Sequence, residues 1–176
     1  MNRFPVTLVT AVALLGCASD PMPAPPHLSE SPLESTLTAQ GYLAVPLVKT
    51  SGGQLLIKSQ INGLPAMLVL DSGASVTVLD RSALKTFSLS TPEETRIPAF
   101  GIGAVSTAAV ASVGSLVIGP LQFENRPTLL VDLSQLTTVM GVMSGQQVHG
   151  VLGQDVLEAQ EAIIDFRRRI LYVRPQ

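Results

Sequence analysis

A carboxylate followed at once by a hydroxyl and a glycine, Asp71-Ser72-Gly73, closes the apolar run Met67 to Leu70, and Val76, Val78 and Leu79 resume the apolar character beyond it. An aspartate between two stretches that both read as buried must be hydrogen-bonded, paired or protonated to be tolerated there. Gly73 permits a sharp bend, because without a Cβ it adopts backbone angles that other residues avoid. Such a bend holds the Asp71 carboxylate at a fixed point with the Ser72 hydroxyl beside it. Taken alone, the triplet fits an acid–base group and a simple turn cap equally well, since Asp and Ser are common turn residues.

A second pattern lies about eighty residues later. Gly150-Val151-Leu152-Gly153-Gln154-Asp155 places aliphatic residues and a glycine directly before a short helical stretch. Other chemistries find less support. Ser72, His149 and Asp165 supply the residue types of a serine hydrolase, but no Gly-x-Ser-x-Gly elbow occurs. Two histidines, His27 and His149, and one cysteine, Cys17, make no transition-metal set, and His149 reads as a solvent-exposed loop residue. Phosphate-loop and dinucleotide patterns are absent, so no cofactor is expected. Eleven basic residues with no aromatic-rich basic stripe give no reason to expect a nucleic-acid partner.

The elements that must position these residues are short strands. Turn signals at Ser51-Gly52-Gly53, Asn62-Gly63, Ser72-Gly73, Gly101 to Gly103, Gly119-Pro120 and Gly145 punctuate aliphatic runs such as QLLIKSQI, AMLVL, SLVI, TLLV and RILYV. Close punctuation of this kind predicts a mostly β domain. Asn62-Gly63 suits a two-residue hairpin turn leading into the strand that ends at Asp71. The 27 uncharged residues between Arg96 and Glu124 are long enough for a membrane helix, but their glycines, prolines and serines favour a glycine-bearing hairpin followed by a strand. One helix is expected near Gln154 to Gln160, with a helical turn at Asp80 to Thr86. Arg167 to Arg169 read as a solvated turn of the last hairpin. With no Trp and 4% aromatic residues, the core must come from aliphatic side chains.

The first sixteen residues have the form of a signal peptide, one early cation at Arg3 and then an uncharged run to Gly16. Leu14-Leu15-Gly16-Cys17 resembles the lipobox of bacterial lipoproteins, which implies cleavage before Cys17 and lipidation of the only cysteine in the chain. The resemblance places the protein in the bacterial cell envelope, and Ala18 after the cysteine favours the outer membrane in a Gram-negative cell. Residues 17–39, rich in Pro and small polar types, read as an extended tether, and residues 40–176 as the folded domain.

Together the two patterns resemble the signatures of retropepsin-like aspartic proteases of clan AA, the single-domain class: a hydrophobic-Asp-Thr/Ser-Gly-Ala loop and a later hydrophobic-hydrophobic-Gly-x-Asp/Asn stretch. Ile61-Asn62-Gly63-Leu64-Pro65 before the loop, and Ala162 to Phe166 with Ile170 to Val173 after it, resemble bacterial members as well. Residues Ser82 to Val148 match only in length and glycine content, and Asp-Ser-Gly stands where Asp-Thr-Gly is commoner.

The resemblance implies a closed β-barrel, half of an acid protease, with one short C-terminal helix. It implies that Asp71 is catalytic, within an active-site loop continued by Ser72, Gly73 and Ala74. Val151, Leu152 and Gly153 would support that loop, Gly153 where only a missing side chain fits, with Asp155 structural at the start of the helix. Phe100-Gly101-Ile102-Gly103-Ala104 would be the flap over an extended peptide substrate. The chain has one such aspartate loop, so the resemblance implies a homodimer that buries the two Asp71 carboxylates against each other. The rival expectation is a noncatalytic peptide- or envelope-binding lipoprotein on the same fold.

Overall fold

The computed structural model describes residues 31–91, 96–101 and 104–175, with the backbone alone described for 96–101 and 104–107. The expected signal peptide, Cys17 and most of the expected tether fall outside these residues. In chain order the elements are α1 (Pro32–Ala39), β1 (Leu43–Lys49), β2 (Leu55–Ile61), β3 (Leu64–Leu70), β4 (Val78–Asp80), α2 (Ala83–Thr86), β5 (Arg96–Gly101), β6 (Ala104–Ile118), β7 (Leu121–Val131), α3 (Ser134–Ser144), β8 (Gly150–Leu152), α4 (Gln154–Ala159), β9 (Ile163–Asp165) and β10 (Ile170–Val173).

Six strands close into a barrel in the order β2-β3-β8-β4-β7-β6, and β6 returns to β2 through Gln60↔Val117 and Ile61↔Leu116. Closure removes the open edges that an isolated sheet would present. The hairpin that starts the ring turns at Asn62 and Gly63, both at positive φ (49° and 77°), as a two-residue turn of matching twist requires. Asn62 also spans the barrel end, its Nδ2 donating to Phe87 O (2.8 Å) and its Oδ1 accepting from Ser115 N (3.0 Å).

Ile57, Ile61, Leu68, Ile118 and Leu152 fill the barrel, all fully buried. The run Ala66 to Val69 is buried on both faces: Ala66 and Leu68 face the barrel core, and Met67 and Val69 pack outside it with Leu56, Met140, Val148 and Val151. That second layer explains why AMLVL is continuously apolar and not alternating. Its cover is α3, a helix not expected from SQLTTVMGVMS, whose β-branched residues and internal glycine are weak helix formers.

The expected tether ends too late. Pro32–Ala39 is a helix, not an extended segment: the Ser31 Oγ accepts from Glu34 N (3.2 Å), Pro32 occupies the first turn, and Leu37 is buried against Tyr42 and Tyr172. The compact unit therefore begins at Ser31. The uncharged stretch after Arg96 forms the β5–β6 hairpin and the barrel strand that follows.

Candidate active site

Three short strands build the site. β8 runs parallel to β3 on one side (Leu70↔Leu152) and antiparallel to β4 on the other (Val78↔Val151). The chain leaving β3 must therefore pass around the end of β8 before returning as β4, and residues 71–77 are that passage. Gly153 sits under it. A Cβ there would lie 2.5 Å from Val76 C and 2.8 Å from Ala74 O, so backbone occupies the space of any side chain. Gly150 is equally confined, its hypothetical Cβ only 2.3 Å from Val78 O.

Asp71 begins the loop. Its N–H donates to Leu152 O (3.1 Å), its carbonyl accepts from Ala74 N (3.2 Å), and its Oδ1 accepts from Gly73 N (2.8 Å). Gln154 clamps the far side, its backbone N–H donating to Ala74 O and its Nε2 to Ser72 O, both at 2.8 Å. Ser72, Gly73 and Val76 are exposed, and Asp71 and Ala74 are only partly covered. Burial of Asp71 and Val76, expected from their apolar flanks, is thus not achieved by a single chain: the flanking strands are buried, but the loop stands proud of the barrel end.

The return arm is stapled by Asp155. Its Oδ1 accepts from the Thr77 N–H (2.8 Å) and hydroxyl (2.7 Å), and its Oδ2 pairs with Arg126 from β7. Burial pushes the Asp155 carboxyl up, but the two Thr77 bonds and the Arg126 guanidinium outweigh it and hold it below the ordinary carboxylate value. Thr77 Oγ1 in turn accepts from Gly153 N (3.1 Å). Thr77, Gln154 and Arg126 were not singled out from sequence. Thr77 carried a signal, a polar residue inside the apolar run VTVL; Arg126, on a strand distant in sequence, carried none.

His149 is not a solvent-exposed loop residue. It is buried, with Nδ1 accepting from Met67 N (3.2 Å) and its ring edge-on to Phe87 at 5.0 Å. Burial pushes its pKa below the ordinary value against the pull of the nearby Asp80 carboxylate. Asp80, itself buried, accepts from Ser82 N (2.9 Å) and Leu133 N (2.8 Å) and so joins β4 to both α2 and α3. No bond links Ser72, His149 and Asp165; the Asp165 Oδ1 accepts instead from Arg168 N (2.8 Å). Of the expected flap, Phe100, Gly101 and Ala104 lie on the β5–β6 hairpin, and Ile102 and Gly103 fall outside the described residues.

The comparisons with known proteins agree with this geometry. The aspartyl protease family model matches residues 57–156, which hold both the Asp71 loop and β8. Among solved structures, a retropepsin-like aspartic protease from Rickettsia conorii superposes with a TM-score of 0.53 at 18% identity, over 76% of this chain and 89% of that one. The retroviral protease-like domain of Ddi1 from Leishmania major follows at 0.47 and 14%, over 72% and 89%. The EIAV protease in complex with the inhibitor HBY-793 gives 0.46 and 16%, over 64% and 92%. No curated protein matches the chain. The first of these structures establishes the shared fold, and the family model spans more than half of the sequence, including the whole passage around β8; the chain belongs to the aspartyl protease family and has the retropepsin-like fold.

Proposed function

We propose that the protein is an aspartic endopeptidase, active as a homodimer in which the Asp71 loops of two copies meet at a twofold axis. The observation that carries this reading is the state of Asp71: one carboxylate oxygen is fixed by Gly73 N–H, and the side chain stands partly uncovered on a rigid loop. Peptide hydrolysis of this kind needs two carboxylates about 3 Å apart sharing one proton, because like charges that close do not both ionise. One chain supplies one such loop, and a second copy completes the pair while covering Asp71 and Val76.

In the dimer the ionised carboxylate takes a proton from a water held between the two aspartates. The water oxygen bonds to the scissile carbonyl carbon as the other carboxyl gives its proton to the carbonyl oxygen. The resulting diol collapses as the first carboxyl passes the proton it took from the water to the leaving nitrogen and the second carboxylate takes one from a diol hydroxyl. The C–N bond breaks, and an acid and an amine leave with the pair back in its starting state. In this reading the exposed Ser72 hydroxyl bonds across the axis, and Gly73 and Ala74 form the floor beneath an extended peptide. The β5–β6 hairpin, which carries Phe100, Gly101 and Ala104, is the cover. We also propose that Cys17 is lipidated and that the enzyme is held at the bacterial envelope, on the periplasmic side of the outer membrane in a Gram-negative cell.

The test joins size to activity. Residues 31–176 should sediment as a dimer and cleave a diverse peptide library at mildly acid pH, and Asp71→Asn should lower the rate by a factor of about a hundred or more with the fold intact. A domain that stays monomeric at high concentration and cleaves nothing would overturn the reading in favour of a noncatalytic module.

A further inference from the structure

The point where the chain joins the domain is fixed to one hairpin. The Arg168 guanidinium donates to the Ser31 Oγ and pairs with Glu34 at 2.7 Å, tying the start of α1 to the β9–β10 turn. That turn is stiff. Arg168 N–H donates to the Asp165 carboxylate, and Arg169 takes a left-handed conformation (φ 59°) with its carbonyl accepting from Leu47 N (2.9 Å). The result is a projecting tip with Phe166 69% exposed, Arg167 and Arg169 exposed on either side of Arg168, and a second uncovered apolar chain, Leu33, in the first turn of α1. A protein of net charge −2 thus sets three arginines against two carboxylates, Asp165 and Glu34, around an uncovered aromatic ring.

We infer that this tip, Phe166 with Arg167 and Arg169, faces and rests on an anionic lipid surface. The inference builds on the proposed anchoring at Cys17. Thirteen residues separate Cys17 from Ser31, and covalent geometry limits their reach to about 45 Å. Ser31 is therefore the point of the domain nearest the bilayer along the chain, and the element bonded to Ser31 is the Phe166 tip. The sign of the local charge suits acidic head groups, where each cation near the surface changes partitioning about fivefold. A ring at the head-group boundary buries apolar area that water otherwise surrounds, worth roughly a further tenfold. A second copy of the chain is a poorer occupant, because a four-residue tip falls well short of the roughly 800 Å² per partner of a stable interface.

The sequence contains no Trp and one Cys, which makes the test direct. Residues 17–176 are coupled through Cys17 to a maleimide lipid in vesicles, with Phe166→Trp as the only indole. On phosphatidylglycerol-containing vesicles the emission should shift to the blue and be quenched by brominated acyl chains. Arg167→Ser and Arg169→Ser should each lower the inserted population about fivefold, as should high salt, and pure phosphatidylcholine should give little shift. A Val142→Trp probe on the exposed face of α3 should stay water-like throughout. Water-like emission from Phe166→Trp on anionic vesicles, or a shift equal to that of Val142→Trp, would overturn the inference. So would a shift that appears without vesicles and grows with protein concentration, since the tip would then be a protein interface. Chemical coupling replaces the natural modification, so whether cells lipidate Cys17 is read separately, from the mass of the native N-terminal peptide.

Discussion

Thr77→Val isolates the hydroxyl that holds the returning arm of the loop. Thr77 is 4% exposed, and its Oγ1 makes two bonds, donating to Asp155 Oδ1 at 2.7 Å and accepting from Gly153 N at 3.1 Å. Valine is close in shape, so the substitution opens little space. A hydroxyl–carboxylate bond contributes about 1.5–3 kcal/mol, and a buried N–H left without a partner costs about 1–3 kcal/mol. Asp155 keeps the Thr77 N–H, Val156 N–H and Arg126 as partners, which puts the first figure at its low end. The expected destabilisation is about 3 kcal/mol, large but within the 5–15 kcal/mol of an ordinary domain, so the variant should fold. Thr77→Ser keeps both bonds and removes one buried methyl, worth about 1 kcal/mol. Urea unfolding at one fixed protein concentration reads both variants, since a dimer's midpoint depends on concentration. In a cycle with Asp155→Asn the two sites should couple by about 1–2 kcal/mol. Equal midpoints for Thr77→Val and Thr77→Ser, or additive effects in the cycle, would refute the assignment.

Two further outcomes follow from the same strands. Gly153→Ala should displace the 71–77 loop, because the nearest atoms are backbone of Val76 and Ala74 with no flexible side chain to give way; peptide cleavage should drop about a hundredfold or more while circular dichroism keeps the β signal, and wild-type activity would contradict the packing. Burial holds the pKa of folded His149 below the ordinary histidine value of about 6.5, so the unfolded chain binds the extra proton. Stability should be full above about pH 6.5 and fall as pH drops below it toward the folded pKa, by at most about 1.4 kcal/mol per pH unit, a ceiling that solvent screening lowers. His149→Gln should flatten that part of the Tm–pH curve, and a slope unchanged by the substitution would assign the acid sensitivity elsewhere.

The parts of the fold legible in the sequence are those written in local chemistry. Asn62-Gly63 specified its hairpin because few other pairs tolerate two positive φ values in succession. The helix at Gln154 was readable from the glycine before it and the acidic residue in its first turn. Helix α1 was equally readable, as Ser31-Pro32-Leu33-Glu34 carries a capping serine, a first-turn proline and a glutamate three residues on; its proline-rich neighbourhood masked a signal that was present. Helix α3 carried no such signal. Its N-cap is Leu133, whose own side chain cannot cap it; the Asp80 and Asp132 carboxylates take the Leu133 and Ser134 N–H groups instead, and Met140 packs it onto the outer face of β3, a contact between segments some seventy residues apart that no local window contains.

The site divides along the same line. Gly153 was legible because its position almost dictates the residue type: backbone passes within 2.5 Å of a would-be Cβ. Gly73 differs from the expectation: it is not among the glycines at positive φ, and a Cβ there would meet only Asp71 Oδ1 at 3.1 Å, so the bend after Asp71 does not depend on a glycine's backbone freedom. His149 was misplaced because exposure depends on what covers a residue, and its cover is Phe87, from a part of the chain that sequence pattern left blank. Asp155 shows the remaining difficulty. Its structural role was legible, but the partners that define it, Thr77 and Arg126, come from different strands and meet only because β8 lies beneath the loop. A substitution at Arg126 should therefore reach the Asp71 loop through Asp155 and Thr77 without touching it. Local sequence reading cannot anticipate that coupling, and the β8 crossing makes it unavoidable.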